Sequence, residues 1–200
     1  MNEALLLITE RLENRQSLQA LMPKRVWDAA LDERIAELPL ALSTAPQADR
    51  PALIALKAGL HLLNESLGAS HAYAQEIEDD ATGCYWHGIM HRMEGDFSNA
   101  NYWFRMAGAH PAMQRLQDRA ADWVRNGTVL SDVPEGAIRD GLAEIARRTR
   151  WNASAFTGLV QLQESGRSAE DARGALEYVQ HLELAELFAH TWQAAKHALG

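Results

Sequence analysis

The chain has 200 residues, 47% of them apolar and 23% charged, with a formal charge of −8. That length and balance suit one globular domain, residues 1–200, with a substantial core and no composition break to suggest a second. The acidic balance, with a pI near 5.5, argues against nucleic-acid partners, because phosphate backbones select basic surfaces.

Strand signals are almost absent and helical periodicity runs nearly throughout, so the expected class is all-α, a single bundle or array of about eight to ten helices. A first helix is predicted over about residues 2–21, with Leu5, Ile8, Leu12 and Leu18 near one stripe. Pro23 opens a second through Val26, Leu31, Ile35 and Leu38, since proline suits a first helical turn. Residues 43–50 read as a loop, after which Pro51 opens a strongly apolar core helix through Leu53, Leu56, Leu60 and Leu63. Gly68 is expected to end or bend it, and a short helix follows from Ser70 to about Ile77. Beyond an acidic turn at 78–83, helices are expected over about 84–94 and 97–108, divided by Gly95-Asp96. Pro111 starts another, ending at Asn126-Gly127, which reads as a left-handed C-cap. Residues 128–136 read as a loop; helices follow at about 137–149 and 152–164. Ser168 to Asp171 resembles a capping box in front of a long last helix to about His197.

Residues 81–111 are spaced like one tetratricopeptide unit. Gly88, Gly95, Phe97, Ala100, Phe104, Ala107 and Pro111 fall at or beside the small, aromatic and proline positions of that motif. Gly88 and Ala100 let two helices approach closely, and Gly95 permits the turn of a central hairpin at 83–108. No second copy follows at a period of about 34 residues, and a solenoid needs about three; the likeness is one of packing.

Several segments together resemble a family of uncharacterised all-helical bacterial proteins. They are Ser70-His71-x3-Gln75-Glu76, Tyr85-Trp86-His87-Gly88-Ile89-Met90-His91-Arg92, Asn99-Ala100-Asn101-Tyr102-Trp103-Phe104-Arg105 and His110-Pro111. Trp151-Asn152 with Phe156, and the run from Gln180 to Phe188, are similar too, so the likeness spans about residues 58–190. Glu94-Gly95 stands where that pattern has Glu-Pro, which softens the turn. The resemblance implies the helical fold and brings no mechanism.

The same central stretch is the densest mixture of rings and titratable groups in the chain. On a helix of 100° per residue, His87, His91 and Glu94 lie within a sector of about 60°. Two imidazoles at i and i+4 with a carboxylate one turn on can face one divalent metal, completed by His71 or His110, with zinc or iron as the natural ion. Without a metal, His87, His91 and Glu94 are candidates for proton transfer or hydrolysis. Trp86, Tyr102, Trp103, Arg105, His71 and His110 are the candidate ligand-binding wall of a small-molecule pocket. The zincin motif is excluded because position 88 is Gly.

A purely structural reading accounts for the same residues: Trp86, Ile89, Met90 and Met93 form the apolar arc of that helix, and the histidines border it as buried groups bonded to neighbours. Asp96 reads as an N-cap. Arg92 or Arg105 can clamp an anion or pair with Asp79 and Asp80. Cys84, at a helix start, gains thiolate character from the dipole, although a buried inert thiol is the commoner outcome. Glu177 with His181 and Glu186 with His190 read as solvated i,i+4 pairs.

Cys84 is the single cysteine, which excludes an internal disulfide and a Cys-based zinc site. No nucleotide-cofactor motif is present. No run approaches the roughly 20 apolar residues that span a bilayer, and the acid-flanked Leu5–Ile8 run is too short for a secretory signal. The expectation is a cytoplasmic protein without membrane partners. It either holds a small molecule, with or without a metal, at residues 71–110, or serves as a non-catalytic interaction module or homodimer.

Overall fold

The computed structural model describes residues 3–40, 45–127, 129–166 and 171–199, which form eleven helices and no strand. In chain order these are α1 (Glu3–Glu13), α2 (Ala29–Glu37), α3 (Arg50–Leu63), α4 (Leu67–Gln75), α5 (Ala81–Glu94) and α6 (Phe97–Ala107). Then follow α7 (Ala112–Asn126), α8 (Val129–Asp132), α9 (Ala137–Arg147), α10 (Ala153–Glu164) and α11 (Arg173–Leu199). The fold is all-α, as periodicity implied, with one helix beyond the upper expectation: α8 lies where the sequence reads as loop.

At the centre is α5, buried at every position from Gly83 to Met93 and packed against α3, α4, α6 and α11. The apolar α3, opened by Pro51, packs on α4 and α11. The 27-residue α11 crosses α3, α5, α7 and α10 and so fastens the first six helices to α7 and α10. Buried apolar side chains from Leu5 to Ala195 form one continuous cluster.

Tertiary contacts override local periodicity at several boundaries. α1 stops at Glu13, not near residue 21. There Arg15 turns inward to pair with Glu65 at 3.0 Å and to bond the Leu18 carbonyl, while the Ala20 amide donates to Glu65 at 2.7 Å. α2 begins at Ala29 under the Asp28 cap, six residues after Pro23. α3 ends at Leu63, before a left-handed Glu65 (φ 60°), and Gly68 sits within α4. Gly127 is extended (ψ 170°), so the expected left-handed cap at the end of α7 is absent. Residues 168–170 of the expected capping box lie outside the described residues.

The hairpin follows its sequence closely. Asp80 and Asp96 cap α5 and α6, accepting from the amides of Thr82 and Gly83 and of Asn99. Gly95 (φ 94°) closes α5 with the Asp96 amide bonded to the His91 carbonyl at 2.9 Å, a left-handed turn that favours glycine. A Cβ on Gly88 would lie 2.6 Å from the Phe104 ring, so α5 and α6 approach as closely as they do because position 88 has no side chain.

Burying α5 on all sides requires partners for its polar groups. Toward α11, Glu183 accepts from Tyr85 Oη and Trp151 Nε1, both at 2.9 Å, and from Arg92 Nη2 at 2.5 Å. Gln180 Oε1 takes Arg92 Nε at 3.3 Å, and the Arg92 guanidinium lies over Phe156, 4.8 Å from its centroid. Trp86 Nε1 donates to Thr191 at 3.0 Å. Arg92 and Glu183 are fully buried, so Arg92 is neither an anion clamp nor a partner of Asp79 and Asp80. Removing one member leaves the other charge uncompensated. Glu183→Ala is expected to cost about 3–5 kcal/mol in urea unfolding, with Arg92→Met/Glu183→Leu costing less than the single variant. Gly88→Ala is expected to cost about 1–3 kcal/mol by the same measurement.

Candidate metal centre

His71 projects from α4, and His87 and His91 lie one turn apart on α5. One ligand nitrogen from each of the three lies within 4.8 Å of the others. Their ring centroids are 4.8 Å (His71–His87), 5.1 Å (His71–His91) and 4.8 Å (His87–His91) apart. His71 is half-buried, while His87 and His91 are buried. His87 lies nearly parallel to Trp103 of α6, with centroids 4.0 Å apart and planes at 17°. The ring is 1% exposed, and neither Nδ1 nor Nε2 has a hydrogen-bond partner. That is costly for an imidazole, which ordinarily satisfies at least one nitrogen when buried.

His91 differs. Asn99 Nδ2 lies 3.1 Å from its Nε2, and Glu94 Oε2 lies 3.1 Å from its Nδ1. With the amide in this orientation, Nε2 accepts and the proton sits on Nδ1, donated to Glu94. This is the arrangement in which a carboxylate orients a metal-ligating histidine from behind. Glu94 is therefore placed to steer His91 and does not join the three converging nitrogens. Burial, then the neighbouring His91 and His71, pushes the His87 pKa down to about 3. Burial likewise lowers that of His91, with Glu94 opposing. Burial thus favours the neutral form of both rings, the form that binds a metal.

The other expected wall residues are scattered. Trp103 lines the cluster, and Tyr102 is exposed with the Arg105 guanidinium 6.0 Å from its ring. Trp86 is core, against Gly59 and Thr191, and Tyr85 is fully buried. Burial, then the Glu183 charge, holds the Tyr85 phenol well above its usual range. His110 does not join the three histidines; it packs edge-on against His190 and Tyr85.

Cys84 is buried in the first turn of α5, donating to the Glu78 carbonyl. Burial and then Asp80, Glu78 and Asp79 raise its pKa, opposite to the expected dipole effect. The expected α11 pairs are replaced by longer-range ones: Glu186 binds Arg115 and Arg119, and His181 meets Gln19.

Asn99, beside His91, is the contributor to this site that the sequence does not single out, as Glu183 is on the opposite, α11 side of α5. Asn99 had a weak signal, one turn before Trp103 on the face of α6 that meets α5; Glu183 had none, because its partners lie far along the chain. No family model, curated protein or solved structure matches this chain. The chemistry of the site therefore rests on its donors. Three imidazole nitrogens, with no thiolate or directly facing carboxylate among the described residues, suit a borderline ion such as zinc.

His110 gives a separate test of burial. Its Nδ1 accepts from the Ala112 amide at 3.2 Å and its Nε2 meets Thr82 Oγ1 at 3.2 Å. Burial, then His190, lowers its pKa to about 4, with Asp80 opposing and Arg115 adding. As pH falls below about 6.5, the unfolded chain takes up this proton and the folded chain does not, so stability is lost. Between pH 7 and 5 this ring is expected to remove about 2 kcal/mol. His110→Gln should flatten that part of the stability–pH curve in urea titrations.

Proposed function

We propose that this protein binds a zinc-class divalent ion on His71, His87 and His91 and presents it as a Lewis acid to a small molecule at the α4–α5–α6 junction. The observation that carries the reading is His87: two buried ring nitrogens without partners, one turn from a His91 oriented by Glu94, with His71 reaching in from a second helix. A histidine retained only for packing would be expected to bond a carbonyl or hydroxyl, as His110 does. Three histidines can leave a fourth coordination position for water or a carbonyl oxygen, the arrangement used in metal-assisted hydrolysis. His71 and Glu94 give the cluster a partly exposed side. The single cysteine supports a cytoplasmic setting, and no described helix is long and apolar enough to cross a membrane.

A second reading, a non-catalytic homodimerising module, is favoured by the surface of α1. Leu6 and Leu7 are 42% and 47% exposed. Leu6 borders an apolar groove of about 590 Å³ against Phe188 and Trp192 of α11. Leu6→Glu would halve the mass in light scattering if this groove face made a dimer; a monomer in both forms removes that reading.

The metal reading expects one zinc or cobalt ion per chain by elemental analysis after metal loading and desalting. His87→Ala and the half-exposed His71→Ala should each weaken binding by more than about hundredfold. At free zinc a hundredfold above Kd, the wild type should gain about 2.7 kcal/mol of stability. Wild-type protein that neither retains nor is stabilised by zinc or cobalt contradicts the proposal.

A further inference from the structure

We infer that Asn99 supplies the fourth, exchangeable ligand of the three-histidine site, its carboxamide turning over when the ion binds. The inference rests on the metal reading above and goes beyond it by assigning the position at which a solute would enter. Asn99 stands in the first turn of α6, its amide bonded to Asp96 Oδ1 at 3.0 Å, so its backbone is fixed relative to α5 by the same capped turn that joins the two helices. Its Nδ2 lies 3.1 Å from His91 Nε2.

An ion on that nitrogen takes the lone pair now accepting the Asn99 N–H. It would also face an NH2 group, which carries the positive end of the amide dipole and has no free lone pair. Both effects expel the nitrogen. Rotation of the amide by about 180° about Cβ–Cγ exchanges Nδ2 and Oδ1 with little displacement of either position.

The resulting distance suits coordination. With bonds of about 2.0–2.1 Å in tetrahedral geometry, neighbouring donor atoms lie about 3.3–3.4 Å apart, and the amide already sits 3.1 Å from His91 Nε2. The histidine nitrogens, at up to 4.8 Å, must draw in further, and half-buried His71 has the most freedom to do so. A neutral amide oxygen is a weaker donor to zinc than imidazole, so it is the ligand that water or the carbonyl or carboxylate oxygen of a solute displaces.

Cobalt(II) titrations of the full chain, read by visible absorption, test this against wild type, Asn99→Ala, Asn99→Asp and His87→Ala. Asn99→Asp should bind cobalt roughly tenfold or more tightly, because an anionic oxygen replaces a neutral one, and should shift the visible bands. Asn99→Ala should bind roughly tenfold more weakly, with bands that weaken toward higher coordination as water fills the position. Asn99 variants with wild-type affinity and spectrum, alongside loss of binding in His87→Ala, would overturn the role of Asn99 and leave the three-histidine site intact. A wild-type protein without cobalt bands would overturn both.

Discussion

Everything in this fold is arranged around a helix that is buried on every side yet is not apolar. From Gly83 to Met93, α5 carries a tyrosine, a tryptophan, two histidines and an arginine without exposing any of them. Such a helix is tenable only if neighbouring elements bring partners to it, since an unpaired polar group in a low-dielectric interior is costly. Toward α11 they do, Arg92 Nη1 excepted: Glu183 gathers Tyr85, Trp151 and Arg92, Gln180 assists, and Thr191 takes the Trp86 indole. Toward α4 and α6 the provision differs. His91 is held from both sides, while His87 has only an aromatic face and two other imidazoles beside it. That asymmetry on one helix directs attention to the histidines as a site.

The geometry of the hairpin turns this asymmetry into a specific arrangement. Gly88 lets Phe104 approach the α5 backbone, and Gly95 reverses the chain within one left-handed residue. Asp96 then starts α6 in the register that puts Asn99 beside His91 and Trp103, four residues on, against His87. α4 completes the junction by laying His71 across the top of the pair. A site built on rigid helices rather than loops holds its donors within a narrow range of positions, which metal coordination demands.

Local rules made much of this readable in the chain. The i,i+4 spacing of His87 and His91, the cap at Asp96, the small residue at 88 and the turn at 95 depend only on helix geometry, and the structure has each of them in place. What could not be read depends on which helices meet. Arg92 reads as an anion clamp or a partner of Asp79 and Asp80 because its actual partner, Glu183, lies 91 positions away. His110 is an equally plausible fourth imidazole by sequence, but the start of α7 turns it toward His190. The first helix carries apolar periodicity past residue 13, yet the buried Arg15–Glu65 pair bends the chain away. Glu94 shares a face with the histidines and reads as a ligand, whereas its hydrogen bond to His91 gives it the orienting position behind one. In each case sequence spacing set the side chain's direction, and long-range packing decided what it met.

The most direct measurement is a crystal structure of the zinc-loaded protein with anomalous differences recorded on either side of the zinc absorption edge. The account predicts one strong peak at the α4–α5–α6 junction, about 2.0–2.1 Å from a nitrogen of each of His71, His87 and His91. A map without that peak, showing His87 bonded through ordered water to a main-chain carbonyl, would contradict it.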